Sequence, residues 1–92
     1  MIQSFKHKGL EAFFRKGATS GVQPDHVKRL RLQLAILDTA QSLQDIALPG
    51  CGLHPLKGKA QGRWSIKVNG NWRLTFEFVE GDIFILDYED YH

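Results

Sequence analysis

The chain has 92 residues, of which 42% are hydrophobic and 24% are charged, and its formal net charge is +2. This length predicts one domain over residues 1–92, and the composition excludes a disordered chain. The apolar runs LAIL and IFIL are far shorter than the ~20 residues of a membrane helix, and the N-terminus lacks the apolar stretch of a secretory signal. A lone cysteine, Cys51, cannot form an internal disulfide, which fits a reducing cytoplasm.

The charges are segregated along the sequence. Residues 1–33 have a net charge of +5 and residues 34–53 a net charge of −2. Residues 54–76 contain five Lys or Arg and no acid, whereas residues 77–92 contain six acids. This separation indicates that one part of the surface meets an anionic partner.

The first half of the sequence predicts a short strand and two helices. Residues 1–5 alternate in the manner of a strand, and an apolar i, i+3, i+4 pattern follows and ends at Gly17, a residue typical of a helix C-cap. A second helix is predicted from Pro24 to about residue 41. Its apolar stripe consists of Val27, Leu30, Leu34 and Leu37.

The second half predicts an antiparallel sheet. After a breaker-rich loop at 48–62, polar and apolar residues alternate in three segments. Three-residue loops at 69–71 and 80–82 would keep the large apolar side chains on one face, which the helices would cover. That register pairs Val68 with Trp72, Ile66 with Leu74, Phe76 with Leu86 and Leu74 with Tyr88.

The opposite face of the predicted sheet carries polar and charged side chains. Like charges that face each other across a ladder are destabilising, and Lys67 stands opposite Arg73. An RNA phosphate between them would turn this repulsion into a binding site, although a solvated face with screened charges is an alternative. In the same register Ser65 faces Thr75, Arg63 faces Glu77, Glu89 lies beside Arg73 and Tyr91 lies near Asn71.

Cleavage of RNA without a metal requires a base, an acid and cations that stabilise the charge on the phosphate. Histidine suits both proton transfers, and His54 and His92 are the candidates. Asp90 could orient one histidine or act itself, and Tyr91 could donate a hydrogen bond or stack on a base. In a regular strand Asp90 and His92 would point away from the open face, unless the strand end twists or bulges.

Other sites receive less support from the sequence. His7, among basic residues at a helix start, and His26, in the first turn of a helix, are interpreted as structural. A metal site formed by His54, Asp90 and His92 has no supporting ligand spacing. Cys51 with His54 lacks an oxyanion-hole motif, and residues 57–62 lack the pattern of a nucleotide-binding loop.

Four segments resemble the HigB toxins of the RelE-like superfamily of bacterial toxin–antitoxin systems: SFKHKGLEAFFRKG, LHPLKG, GRWSIKVNGNWRLTFEF and the terminal YEDYH. The resemblance implies a compact α+β domain with a short N-terminal strand and two helices packed on one face of an antiparallel sheet. It implies a ribosome-dependent endonuclease that cleaves translated mRNA in the decoding site without a cofactor. It also implies a HigA-like helix-turn-helix antitoxin, through which alone operator DNA would be contacted.

The resemblance also assigns site residues. It implies a catalytic group of His54, Asp90, Tyr91 and His92. It implies RNA-binding cations at Lys57 and Arg73 and extends them to Arg63 and Lys67, and the register argument agrees on the pair of Lys67 with Arg73. Many RelE-like toxins use lysines, arginines and a tyrosine instead, which leaves the identity of the general base open. A non-catalytic RNA- or ribosome-binding module and a small protein-interaction domain remain the alternatives.

Overall fold

The computed structural model describes residues 1–58 and 62–91. Helices and a sheet both occur in this part of the chain, which confirms the predicted α+β class. The helices are α1 (Lys8–Lys16), α2 (Val27–Thr39), preceded by a 3-10 turn (Pro24–His26), and α3 (Leu43–Ile46). The strands are β1 (His54–Pro55), β2 (Arg63–Asn69), β3 (Trp72–Val79) and β4 (Asp82–Asp90), which form an antiparallel sheet in the order β1-β2-β3-β4.

Helix α1 begins and ends at residues whose chemistry suits those positions. Nδ1 of His7 accepts a hydrogen bond from the backbone N–H of Leu10 at 2.9 Å, which satisfies a donor of the first turn. Gly17 has a φ of 73°, a left-handed conformation that glycine adopts at little cost, and its N–H donates to the carbonyl of Phe13 at 2.9 Å. The predicted end of this helix is therefore confirmed.

Helix α2 is shorter than predicted. Its α-helical part ends at Thr39, because Ala40 adopts an extended conformation. The chain then starts the separate helix α3, in which the side chain of Asp45 accepts from the backbone N–H of Ser42 at 3.3 Å as part of a capping box. The sequence analysis missed α3 because four residues are too few to show a helical period.

Helix α1 and the loop that follows it approach each other at two glycines. A Cβ atom on Gly9 would lie 2.7 Å from the carbonyl oxygen of Gly21, and a Cβ on Gly21 would lie 2.5 Å from Cα of Gly9. Both distances are below van der Waals contact, so the backbones meet only because neither residue has a side chain. The contact fixes the loop that leads to Gln23 and the 3-10 turn.

The N-terminal segment lies parallel to β4. Gln3 N–H donates to the carbonyl of Ile83 at 2.7 Å, and Leu86 N–H donates to the carbonyl of Ser4 at 3.1 Å. The predicted first strand is thus present only as two isolated bridges, Ile2 with Ile83 and Phe5 with Leu86. No helix of the described residues is long and apolar enough to cross a membrane.

The sheet has the predicted register around Leu74 and departs from it at two bulges. Ile66 pairs with Leu74, and Leu74 pairs with Tyr88, as predicted. The predicted pair of Val68 with Trp72 is wrong, because a register shift between Lys67 and Asn69 places Asn69 opposite Trp72. The bulge allows a two-residue turn and still keeps Val68 buried.

A second bulge lies between β3 and β4. The register shifts between Thr75 and Glu77, so the predicted regular pair of Phe76 with Leu86 does not form. Ile85 absorbs the extra residue with a φ of 48°, which is unusual for a β-branched side chain. Phe76 and Leu86 are nevertheless both fully buried, because both side chains still point towards the helices at the bulge.

The core lies between the helices and one face of the sheet. Helices α1 and α2 contribute apolar residues that occupy the predicted stripes. The strands contribute alternate residues, as the period of two requires. The apolar residues with 0% exposure are Leu10, Leu30, Leu37, Leu74, Phe76, Ile83 and Leu86.

Candidate active site

Strand β1 brings His54 to the side of the sheet away from the helices. His54 pairs with Ser65, Ser65 pairs with Thr75, and Thr75 pairs with Asp87. Paired residues of an antiparallel ladder project to the same face, so these four residues form the central row of that face. The sequence analysis treated 48–62 as a loop, because a two-residue strand that contains a proline gives no periodic signal.

The hydrogen bond of His54 orients its ring. The side chain is exposed, and Nδ1 lies 2.8 Å from the carbonyl oxygen of Gly52. A carbonyl oxygen only accepts, so Nδ1 carries the proton in this contact and Nε2 of a neutral ring has a free lone pair. His54 is therefore arranged to take a proton through Nε2.

Cations flank the central row. Lys67 and Arg73 are paired across the ladder, as predicted, and Lys67 is exposed. The Arg73 guanidinium donates from Nη1 to the carbonyl of Gly70 at 3.2 Å, which holds it at the end of the hairpin. Lys57, just beyond β1, is also exposed. Within residues 1–58 and 62–91, none of these three cations has a carboxylate oxygen within 4.0 Å.

The centre of the predicted open face is closed by side chains. Ser65 and Thr75 have 0% exposure, which corrects the prediction that they would lie uncovered. Arg63 covers them, since its Nη2 atom donates to Oγ1 of Thr75 at 3.1 Å and to the carbonyl of Ile85 at 3.4 Å. The sequence placed Arg63 opposite Glu77, and the backbones do pair in this way, but the guanidinium turns to Thr75.

Thr75 also contacts a carboxylate. Its hydroxyl donates to Oε2 of Glu89 at 2.9 Å, so one buried hydroxyl joins Arg63 to Glu89. Nε of the same guanidinium and Oγ of Ser65 are buried and have no hydrogen-bond partner among the described residues. The sequence analysis assigned no role to Thr75 or Glu89, because the pattern gives only the face of a residue and not the direction of its side chain.

The C-terminal candidates lie at the end of β4. Asp90 pairs with Trp72, which puts it on the helix-covered side of the ladder, as the alternation predicted for a regular strand. The backbone N–H of Tyr91 donates to the carbonyl of Asn71 at 2.8 Å, and the Tyr91 side chain is 42% exposed. His92 lies outside the described residues, so its place in the site stays a prediction.

The histidines interpreted as structural have packing roles. His26 is buried and its Nδ1 atom lies 2.5 Å from the Tyr88 hydroxyl, which also accepts from Gln23 N–H at 3.3 Å. The His7 ring packs edge-on against the same tyrosine, with centroids 5.3 Å apart. Burial raises the pKa of Tyr88, and the Gln23 N–H opposes this rise. These contacts fix β4 at Tyr88, which lies two residues before Asp90 in the sequence.

A metal centre finds no geometric support in the described part of the chain. Residues 1–58 and 62–91 contain no group of three His, Cys, Asp or Glu side chains that could hold a metal ion. The set of His54, Asp90 and His92 includes a residue outside this part.

Two solved structures of E. coli YafQ resemble this fold. YafQ from E. coli strain BL21(DE3) matches with a TM-score of 0.58 at 15% identity, over 98% of this chain and 91% of that one. A single-residue mutant of YafQ from E. coli also gives a TM-score of 0.58, at 16% identity with the same coverage. At this identity the likeness concerns the fold alone.

Sequence comparison is more specific. Endoribonuclease HigB of Proteus vulgaris is 52% identical over 92 residues, which cover both chains completely. Toxin HigB-1 of Vibrio cholerae is 36% identical over 83 residues, which cover 88% of this chain and 87% of that protein. Residues 3–92 match the family model of the RelE-like toxin HigB of type II toxin–antitoxin systems. The chain therefore belongs to the HigB family of RelE-like toxins.

Proposed function

We propose that this toxin is a ribosome-dependent endoribonuclease that cleaves translated mRNA in the decoding site by acid–base chemistry and so inhibits translation. Membership of the HigB family and the relative named Endoribonuclease HigB support a toxin that acts as a ribonuclease. Ribosome dependence is what the resemblance to the HigB toxins implies, and the metal-independent mechanism is inferred from the histidines and cations of the site. The observation that carries the proposal is the pairing of His54 into a row flanked by the cation pair Lys67–Arg73.

The proposed substrate contact is a phosphate of the RNA backbone. Lys67 and Arg73 face each other without a carboxylate within 4.0 Å among the described residues, so an anion between them would remove their mutual repulsion. Lys57, just beyond β1, and Arg63, the first residue of β2, add two further positive charges. These four cations would bind the backbone without reading the base sequence.

The proposed catalytic groups are His54, Asp90, Tyr91 and His92. One histidine takes the proton of the 2′-hydroxyl, and the 2′-oxygen attacks the adjacent phosphorus. The bond from phosphorus to the 5′-oxygen breaks, and an acid of the site protonates that oxygen. The products are a 2′,3′-cyclic phosphate and a 5′-hydroxyl, so water and a metal ion need not take part in this step.

The ribosome would supply the orientation that the toxin lacks. Lys57 and Lys67 are exposed side chains, so a free RNA strand would bind them in many orientations. Holding the reacting groups in one geometry contributes a large share of the rate of such reactions. A message fixed in the decoding site would meet this need.

The proposal includes a partner and a location. A toxin of a type II system has an antitoxin, and we propose a HigA-like helix-turn-helix protein that connects the toxin to operator DNA. The cell compartment is the cytoplasm, where ribosomes translate. The toxin itself would make no direct contact with the operator.

Cleavage on purified ribosomes tests the proposal. The toxin should cut a message on ribosomes and leave the same free transcript nearly intact at equal concentration. Rapid digestion of the naked transcript would contradict ribosome dependence. Ribosome binding with no cleavage under any of these conditions would favour the alternative of a non-catalytic ribosome-binding module.

A further inference from the structure

The side chains of Arg63 and Glu89 converge on one buried hydroxyl from opposite sides. Arg63 belongs to the ladder row of Glu77, whereas Glu89 belongs to the row of Arg73. Both reach into the central row, where Thr75 Oγ1 accepts from Arg63 at 3.1 Å and donates to Glu89 at 2.9 Å. Strand β3 separates the two strands that carry them, so Thr75 is their connection.

This arrangement overrides the simplest charge pairing. Glu77 stands directly opposite Arg63 in the ladder, yet the two side chains form no ion pair within 4.0 Å in the described structure. The guanidinium lies instead over the β3–β4 part of the central row, where it contacts Thr75 and the carbonyl of Ile85. His54 contributes to the same row from β1, two strands away from Thr75. We propose that Thr75 and Glu89 are positioning residues that hold the Arg63 guanidinium over the row of His54, so that it meets the reacting phosphate.

The hydroxyl can serve both neighbours at once for a simple chemical reason. A hydroxyl has one proton and two acceptor lone pairs, while a carboxylate only accepts and a guanidinium only donates. The carboxylate of Glu89 therefore fixes the direction of the Thr75 proton, and this leaves a lone pair directed to Arg63. Glu89 acts on the cation through Thr75, because no direct contact between Glu89 and Arg63 is present within 4.0 Å.

The inference rests on the proposed function, in which Arg63 contacts the RNA. Matched variants separate hydrogen bonding from charge. T75S and E89Q keep an oxygen at each position of the network, whereas T75V and E89L remove it. E77Q removes a carboxylate from β3, on the same face of the sheet as Thr75 and Glu89, and it serves as the control for the loss of a negative charge.

The experiment measures kcat and KM for cleavage of a message on ribosomes, together with the unfolding midpoint of each variant in urea. We expect T75V and E89L to lower kcat by about 10- to 100-fold, the effect of losing a hydrogen bond to a charged group. The kcat values of T75S, E89Q and E77Q should stay within about threefold of the parent value, a difference close to the uncertainty with which mutational effects add. KM should be alike within each matched pair, since both members change the charge equally.

The outcomes distinguish this inference from the proposed function. If R63M lowers kcat while T75V and E89L do not, the cation matters and its proposed positioning is wrong. If R63M leaves cleavage unchanged, the role of Arg63 in the proposed function fails together with the inference. Equal losses in E89Q and E89L would show a charge effect and overturn the hydrogen-bond network. If T75V does not fold, the pair of E89L and E89Q, at a half-buried position, decides alone.

Discussion

The hydroxyl oxygen of Tyr88 lies 2.5 Å from Nδ1 of His26, although 62 positions separate the two residues. The same oxygen accepts from Gln23 N–H, so it can donate its proton to a neutral His26 ring. The Trp72 ring packs on Tyr88 with centroids 4.4 Å apart. These contacts join the helical layer to the strand that ends at Asp90, and they make the position of the proposed catalytic terminus dependent on buried residues.

Y88F should destabilise the fold by about 1–3 kcal/mol, because it leaves His26 and the Gln23 N–H without their buried partner. Urea unfolding at neutral pH measures this loss. Y91F is the matched control, since the Tyr91 side chain is 42% exposed and should change the unfolding free energy little. Equal stability of Y88F and the parent protein would contradict the importance of this contact.

The pKa of Tyr88 predicts a pH dependence at the alkaline end. Burial raises the pKa in the folded protein above its value of 10.0 in an unfolded chain, so the fold favours the protonated hydroxyl. The stabilisation is complete below pH ~10 and is lost as the pH rises through the folded pKa. The difference in unfolding free energy between the parent protein and Y88F should therefore shrink above pH ~10. A constant difference up to pH 11 would contradict this assignment.

H54Q and H92Q should each lower kcat by about 100- to 10,000-fold, since glutamine preserves polarity but cannot exchange a proton near neutral pH. Ribosome binding and the unfolding midpoint should stay close to the parent values. The pH profile of kcat should lose one limb in each variant, and the limb that disappears identifies the base and the acid. An H92Q protein that cleaves at an undiminished rate would remove His92 from the mechanism.

K67M and R73M should weaken ribosome and RNA association with little regard to sequence, because both residues are proposed to contact phosphate. Each variant should reduce the slope of log K against log salt by about 1. Lys28 is exposed on the helical layer, so K28M is the matched control and should retain the parent slope. Equal slopes in all four proteins would place the RNA on another surface.

Metal-independent cleavage predicts a specific product. The reaction should continue with a chelator in an assay whose ribosomes are kept assembled by polyamines. The upstream fragment should end in a 2′,3′-cyclic phosphate or the 3′-phosphate formed from it. A 3′-hydroxyl end together with loss of activity in the chelator would favour a metal-dependent reaction.

The sequence predicted the features that depend on periodicity. The alternation of apolar residues sufficed to place Lys67 opposite Arg73 and Ile66 opposite Leu74. It could not predict the two bulges, because Val68 continues the apolar alternation of β2 and the uninterrupted apolar run at 83–86 shows no alternation in β4. The loops were therefore predicted one residue too long at both hairpins.

The candidate site was predictable only in part, because a linear pattern does not give the directions of side chains. The chemistry of RNA cleavage suggested His54 and the terminal residues, and the resemblance to HigB proteins assigned them the same role. The structure supplied the β1 pairing that explains where His54 lies. The turn of Arg63 away from Glu77 and towards Thr75 depends on side-chain rotamers across three strands. No linear pattern encodes such a choice, since both directions preserve the same alternation.

The contact between Gly9 and Gly21 restricts how this sequence can vary. Many close contacts tolerate substitution because a larger residue on one side can be offset by a smaller residue on the other. No such compensation is possible here, because both residues already lack a side chain and a Cβ atom added to either one would meet the backbone of the other. A substitution at either glycine must instead move the loop that carries Gln23 and the 3-10 turn. It would thereby disturb the hydrogen bonds of Gln23 and His26 with Tyr88 of β4. Gly9 and Gly21, which are not among the proposed RNA-binding residues, are therefore both expected to resist substitution.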